Sequence, residues 1–240
     1  MEDVKINDKL KNKLKEFLQE LKNIYGEELI SAALYGSAAS GEFIEKHSNL
    51  NMLIVLRNAS LENLKKSSNA VNKYPMIRPL FLTEGYIAGS TDVFPIEFLD
   101  MRENYILLYG KDVLKDVAVD TRNLRFQCEQ ELKAKLINLK HLYLVNNKDN
   151  GALRNLLLKS FTSILHIMRN ILRLKSKTPA YKKDTLLKEL AADFNIDISC
   201  WQKILLAKNR QMKLKEKEIE QLFIGFINDL ERVTEAVDKL

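Results

Sequence analysis

A Gly-Ser pair that follows a short apolar segment is the feature of this sequence best suited to binding an anion. The segment "LISAALY" (29–35) leads into Gly36 and Ser37, and Gly41 follows shortly after. A glycine permits a tight turn, a serine hydroxyl can donate to a phosphate oxygen, and backbone N–H groups at the start of a following helix also point at the ligand. We therefore predict a phosphate-binding turn here.

Downstream of the turn, two asparagines lead into a second apolar segment. Ser48 and Asn49 precede "NMLIVL" (51–56), whose first residue is Asn51. A continuous aliphatic run is typical of a strand that is covered on both faces. The two amides are therefore expected at the start of a buried strand, close to the turn.

The run Gly36-Ser37-x-Ala39-x-Gly41, followed by Ser48-Asn49-x-Asn51 and an aliphatic strand, resembles the signature of the nucleotidyltransferase superfamily. That polymerase β-like group includes kanamycin nucleotidyltransferase and the minimal nucleotidyltransferases, and its pattern is G-S-x-A-x-G followed by S-D-x-D on a strand. The resemblance covers about residues 30–110. The glycines, the serines and the alanine match, whereas both aspartates are replaced by asparagine.

The resemblance implies a metal site that has lost its anionic ligands. In that superfamily the two aspartates and a third acid on a neighbouring strand hold two Mg²⁺ ions, which bridge the triphosphate and activate the attacking hydroxyl. The third acid would correspond to Glu97 or to Asp92, with Asp100 less favoured, and the residue types leave the first two open. The implied metal ligands are Asn49, Asn51 and Glu97, a degenerate set.

An Asp-to-Asn change at such a site has a large electrostatic cost, because Mg²⁺ prefers anionic oxygens and an amide oxygen carries no charge. Losing both acids is expected to weaken metal affinity about a thousandfold. We therefore expect a nucleotidyltransferase-fold protein that binds a nucleoside triphosphate or is regulatory rather than catalytic. It would use no cofactor.

Two alternatives remain open at the level of sequence. The first is an active transferase that moves a nucleoside monophosphate to a small molecule or a protein, with Glu97, Asp92 and a single Mg²⁺ as its machinery. The second is a module that binds nucleic acid or a protein partner through a basic helical half. A homodimer through that half is also open.

The basic character of the chain is confined to its second half. The net charge of +6 divides into −2 for residues 1–118 and +8 for residues 119–240. The stretch "RNILRLKSKTPAYKK" (169–183) holds six basic residues and no acid, a concentration that can hold phosphates. Arg169 and Arg173 are therefore candidate nucleotide-binding residues, if the helical half faces the first domain.

Hydrophobic periodicity predicts an α+β protein: an N-terminal mixed sheet with helices (1–118), then an all-helical bundle domain (119–240). Strands are expected at 29–35, 51–56, 76–82 and 92–100, the last with Pro95 at an edge or bulge. Helices are expected at 7–24, 60–73, about 120–145, 152–175, 183–194, 198–209 and 212–239. The segment 106–110 would end the first domain.

Composition excludes several other classes of protein. The chain has 46% hydrophobic and 29% charged residues, as soluble globular proteins do, and it shows no apolar run of membrane-spanning length. Its N-terminus lacks the apolar core of a signal peptide, so we expect a cytoplasmic protein. The two cysteines, Cys128 and Cys200, have no CxxC spacing and predict buried free thiols.

Overall fold

In the computed structural model, which describes residues 6–43, 45, 48–175 and 177–240, the chain divides into two compact units, 1–120 and 121–240. The elements of the first unit are α1 (Asp8–Tyr25), β1 (Leu29–Tyr35), α2 (Ser37–Ser40), β2 (Leu50–Leu56), α3 (Leu61–Lys65), α4 (Ser68–Lys73), β3 (Ile77–Leu82), α5 (Glu84–Ala88), α6 (Pro95–Glu103) and β4 (Tyr105–Gly110). The second unit contains α7 (Thr121–Asn146), α8 (Asn150–Leu174), α9 (Lys183–Phe194), α10 (Ile198–Lys208) and α11 (Glu216–Val237).

The four strands form one mixed sheet in the order β3-β2-β1-β4. Strand β1 is antiparallel to both β2 and β4, whereas β2 and β3 run parallel. As a result, β1 ends at the same end of the sheet at which β2, β3 and β4 begin. We call this the Gly36 end, after the residue that follows β1.

Both faces of the sheet are covered, which explains the continuous aliphatic sequences of β1 and β2. On one face, α1 packs its stripe of Leu14, Phe17 and Leu21 against alternate strand residues such as Met52 and Ile54. On the other face, residues from α5, α6 and the segment after β4 pack against the intervening strand residues. These are Ala33, Leu53, Val55, Ile87, Phe98, Met101, Leu114 and Val117.

The predicted strand at 92–100 is wrong, because most of this segment forms helix α6. Pro95 takes the first helical position, where a proline costs no hydrogen bond and its fixed φ suits a helix. Ile96, Phe98, Leu99 and Met101 are all buried, so the helix is apolar over most of its surface and lacks a helical stripe. The fourth strand is instead β4, the segment expected only to end the domain.

The second unit is entirely helical among its described residues and is organised around aromatic side chains. Trp201 of α10 lies 4.6 Å from Phe226 of α11 and 5.7 Å from Phe161 of α8, measured between ring centroids. Cys128 and Cys200 are buried free thiols, as predicted. Among the helices of the described residues, none combines the length and apolar character that a membrane-spanning segment requires.

Candidate functional site

The backbone at Gly36 explains why a glycine follows β1. Gly36 has φ +75°, a conformation that side chains with a Cβ rarely adopt, and its N–H donates to the Asn104 carbonyl oxygen at 3.1 Å. Its own carbonyl accepts from the N–H groups of Ala39 and Ser40, at 3.0 Å each. The turn is therefore held on both sides, and Ser37 begins the short helix α2 that leaves it.

Asn51 lies directly beside this turn. It is the strand partner of Tyr35, and its side-chain nitrogen would be 3.3 Å from a Cβ placed on Gly36. Asn49 is exposed just before β2, and Ser48 is half-buried. The structure therefore brings Asn51 to the Gly-Ser turn, whereas Asn49 lies two residues earlier, ahead of β2.

Strand register defines a row of four side chains across the Gly36 end. Tyr105 pairs with Tyr35, Tyr35 pairs with Asn51, and Asn51 pairs with Arg78 of β3. Residues that pair directly across strands project from the same face of a sheet. We call Tyr105, Tyr35, Asn51 and Arg78 the end row.

Arg78 is the residue that sequence reasoning missed. Its position in "MIRPLFL" shows only an arginine within a predicted strand. The pairing of β3 with β2, and its register, place this arginine across from Asn51. The superfamily signature expects an acid on a strand next to the Asp-x-Asp strand, but β3 contains no acid.

Glu97 and Asp92 do not lie on a strand. Glu97 is exposed in the first turn of α6, and Asp92 is exposed before that helix begins. It is the C-terminal end of α6 that lies at the Gly36 end of the sheet, because the Asn104 carbonyl accepts a hydrogen bond from the Gly36 N–H. At 1.5 Å of rise per residue, Glu97 lies about 10 Å along the helix from Asn104. The catalytic roles of Glu97 and Asp92 stay predictions.

The side chains of the Gly36 end do not suit a magnesium ion. Among residues 6–43, 45, 48–175 and 177–240, no three or more His, Cys, Asp or Glu side chains come together as metal ligands would. The side chain beside the Gly-Ser turn is the Asn51 amide, and Arg78 pairs across from it, whereas Mg²⁺ is normally held through one or two carboxylates. An arginine also repels a divalent cation and has no lone pair to offer it.

The two tyrosines of the end row are neutral at physiological pH. Burial raises the pKa of the Tyr35 phenol. Burial, followed by the hydrogen bond to Asp112, raises the pKa of Tyr105 to about 12. The Tyr105 hydroxyl donates to Asp112 at 2.8 Å. Neither phenol is therefore suited to act as a general base at neutral pH.

The basic stretch at 169–183 is largely occupied within the helical unit. Arg169 is buried, donates to the Tyr181 carbonyl at 3.0 Å and stacks over the Tyr181 ring at 4.4 Å. Arg173 donates to the Asn170 side chain, and both Lys175 and Lys177 form ion pairs with Asp193. These contacts connect the C-terminal end of α8 to Tyr181, and Lys175 and Lys177 to Asp193 of α9. A nucleotide-binding role for Arg169 and Arg173 stays a prediction.

Replacing Gly36 by alanine is expected to damage the site and not only the turn. The positive φ costs about 1–3 kcal/mol for a residue with a Cβ, and the new methyl group would press on the Asn51 amide. Gly85→Ala is the matched control, because a Cβ there meets no atom within 4 Å and alanine favours the helix by about 0.5–1 kcal/mol. Thermal unfolding of the two variants should therefore shift in opposite directions, and equal shifts would contradict the described turn.

No family model matches the sequence, and no curated protein matches it either. A solved structure does match in fold: spectinomycin adenyltransferase AAD(9) from Enterococcus faecialis, determined with ATP and spectinomycin. The match has a TM-score of 0.59 at 13% sequence identity and covers 94% of this chain and 100% of that chain. The predicted α+β class is confirmed, and this protein has the same fold as that adenyltransferase.

Proposed function

We propose that this protein binds a nucleoside triphosphate at the Gly36 end of the sheet without transferring its nucleoside monophosphate group. The observation that carries the proposal is the contact between an intact Gly-Ser turn and Asn51. In the resemblance to the superfamily signature, Asn51 corresponds to one of the two metal-binding aspartates. The turn supplies hydrogen-bond donors to phosphate, and they do not depend on the missing acids.

The fold supports a nucleotide as the ligand. The structural neighbour was determined with ATP and spectinomycin, so ATP is the natural first candidate for this chain. Gly36, Ser37, Gly41, Ser48, Asn49 and Asn51 would surround the phosphates. In this proposal the nucleotide-binding domain is residues 1–118, and residues 119–240 form a helical domain available to a second copy or a protein partner.

The chemistry of the side chains argues against transfer. A carboxylate beside the reacting hydroxyl can orient it and accept its proton, but an amide is too weakly basic to accept that proton. Asn49 and Asn51 also contribute no charge toward holding a metal ion. The active alternative that uses Glu97, Asp92 and one Mg²⁺ gains no support from the arrangement, since Glu97 projects from a helix rather than from a strand beside Asn51.

Calorimetric titration with ATP, paired with a pyrophosphate-release assay, tests this function. We expect saturable binding with pyrophosphate release no faster than the rate without protein. Ser37→Ala should weaken binding about fivefold to tenfold, because one hydrogen bond to phosphate is lost. Ser68→Ala, an exposed serine of α4, is the matched control.

Two outcomes would overturn the proposal. Absence of ATP binding, both with Mg²⁺ and with a chelator, would show that the turn is not a nucleotide site. Pyrophosphate release that requires Mg²⁺ and is abolished by Glu97→Ala would establish the active alternative instead.

A further inference from the structure

The phosphates of a nucleotide bound at the Gly36 end need a source of positive charge. In the superfamily that charge comes from the metal ions held by the acids. Here asparagines stand at the two aspartate positions of the signature, and such a set of ligands does not suit Mg²⁺. Residues 1–118, which make up nearly all of the first unit, are also slightly acidic, with a net charge of −2. A cationic side chain of the protein itself could supply the positive charge that the phosphates need.

Arg78 is positioned to be that cation. Its Cα pairs with that of Asn51, so its side chain leaves the sheet on the same face as the Asn51 amide. Ile77, its neighbour in sequence, is buried on the opposite face with the α1 cluster, which fixes the orientation of the strand. Arg78 itself is exposed, so a ligand can reach its guanidinium.

Three other cations of the first unit are engaged with protein groups. Lys73 pairs with Glu20 at 2.6 Å, and Lys111 pairs with Glu84 at 2.5 Å. Arg102 donates to the Val117 carbonyl at 2.8 Å. For Arg78, by contrast, no carboxylate partner exists among the described residues. Its charge is therefore free to act on a ligand.

We propose that Arg78 takes the electrostatic place of the metal ions, so that the triphosphate binds directly to the protein without a divalent cation. A guanidinium can donate two parallel hydrogen bonds to a phosphate, a geometry that a lysine ammonium does not reproduce. The same positive charge opposes entry of a metal ion. This inference rests on the proposed nucleotide site and adds the way in which that site recognises phosphate.

The test is calorimetric titration of the full chain with ATP, once with EDTA and once with excess Mg²⁺. We expect binding to persist in EDTA with an affinity equal to or higher than that in Mg²⁺, because Mg²⁺ masks part of the phosphate charge. Arg78→Gln should raise the Kd in EDTA about 10- to 100-fold, as expected for loss of charge-assisted hydrogen bonds. The Kd of the Arg78→Lys variant should lie between that of the unmodified protein and that of Arg78→Gln.

Arg57→Gln is the matched control, since it removes the same charge from the same unit. Arg57 follows β2 at the opposite end of the sheet, about 20 Å from Asn51, and donates to the Glu27 carbonyl. Its Kd for ATP should change less than twofold. Far-ultraviolet circular dichroism and the Tm of each variant show whether the fold is retained. If Arg78→Gln misfolds, the Kd of Arg78→Lys is compared with that of Arg57→Gln instead.

The outcomes separate the two proposals. ATP binding that requires Mg²⁺, or that is equally affected by Arg78→Gln and Arg57→Gln, would overturn the role of Arg78 and leave the nucleotide site standing. Absence of ATP binding in both buffers would overturn both.

Discussion

Converting the Gly36 end into a metal site, through the triple variant N49D/N51D/R78Q, should raise its affinity for Mg²⁺ or Mn²⁺ about a thousandfold. A unit charge about 4 Å from a divalent ion gains roughly 8 kcal/mol at an effective dielectric constant of 20. If about a quarter of that remains after desolvation, two carboxylates together contribute roughly 4 kcal/mol. Removing the Arg78 guanidinium also relieves its repulsion of the ion. Electron paramagnetic resonance of Mn²⁺, with an ATP analogue present, measures this affinity.

The double variant N49D/N51D should gain less, because Arg78 still lies across from residue 51. The matched control is N69D/N72D, which adds the same two charges on exposed positions of α4. Exposed carboxylates of that kind should change Mn²⁺ affinity only slightly, since solvent screens them. A triple variant that binds Mn²⁺ no better than this control would show that positions 49 and 51 do not face a common ion, and the proposed site would be wrong.

Truncating Trp201 to alanine is expected to lower the unfolding free energy of the helical unit by about 3–5 kcal/mol, as is typical for a buried large aromatic residue. Trp201 is fully buried between Phe161 and Phe226, and its Nε1 donates to the buried carboxylate of Asp229 at 2.9 Å. The truncation removes the ring contacts and leaves this carboxylate short of one donor. Asp229 keeps its bond from the Asp197 N–H at 3.0 Å.

Hydrogen exchange followed by mass spectrometry is the suitable measurement, because it reports each unit separately and does not depend on the fluorescence of the single tryptophan. Amides of α8, α10 and α11 should lose protection, while those of β1 and β2 serve as an internal reference. Trp201→Phe, which keeps most of the ring volume, should cost only about 1–2 kcal/mol. Phe126→Ala, at an exposed position, should cost less than about 0.5 kcal/mol. Equal loss of protection in all three variants would contradict the described core.

Local pattern was sufficient for most of the elements. The strand predicted at 29–35 has those bounds in β1, and the helix predicted at 183–194 has those bounds in α9. Both are bounded by strong local signals: Gly36 ends the first, and Asn195 ends the second in a left-handed conformation. The helix predicted at 60–73 is interrupted at Lys66 and Ser67, which separate α3 from α4.

The segment 92–100 shows where local pattern was insufficient. A short apolar run can be a buried strand or a helix buried on most sides, and periodicity does not separate the two. Here α6 lies against the sheet through Phe98 and Met101, while Ile96 and Leu99 are also buried. Pro95, which predicted an edge strand or a bulge, instead begins the helix. Because the segment is helical, Glu97, the expected third acid, lies on a helix and not on a strand.

Sequence by itself determined the Gly-Ser turn and the presence of uncharged amides at positions 49 and 51, because residue type and near-neighbour spacing decide whether a turn can form and whether a side chain carries charge. Only the tertiary structure decided which residue lies opposite Asn51. The register between β2 and β3 joins segments that are distant in the chain, and it is set by how both faces of the sheet pack. Local propensity does not encode that pairing, so the position of Arg78 beside Asn51 emerges only from the folded sheet.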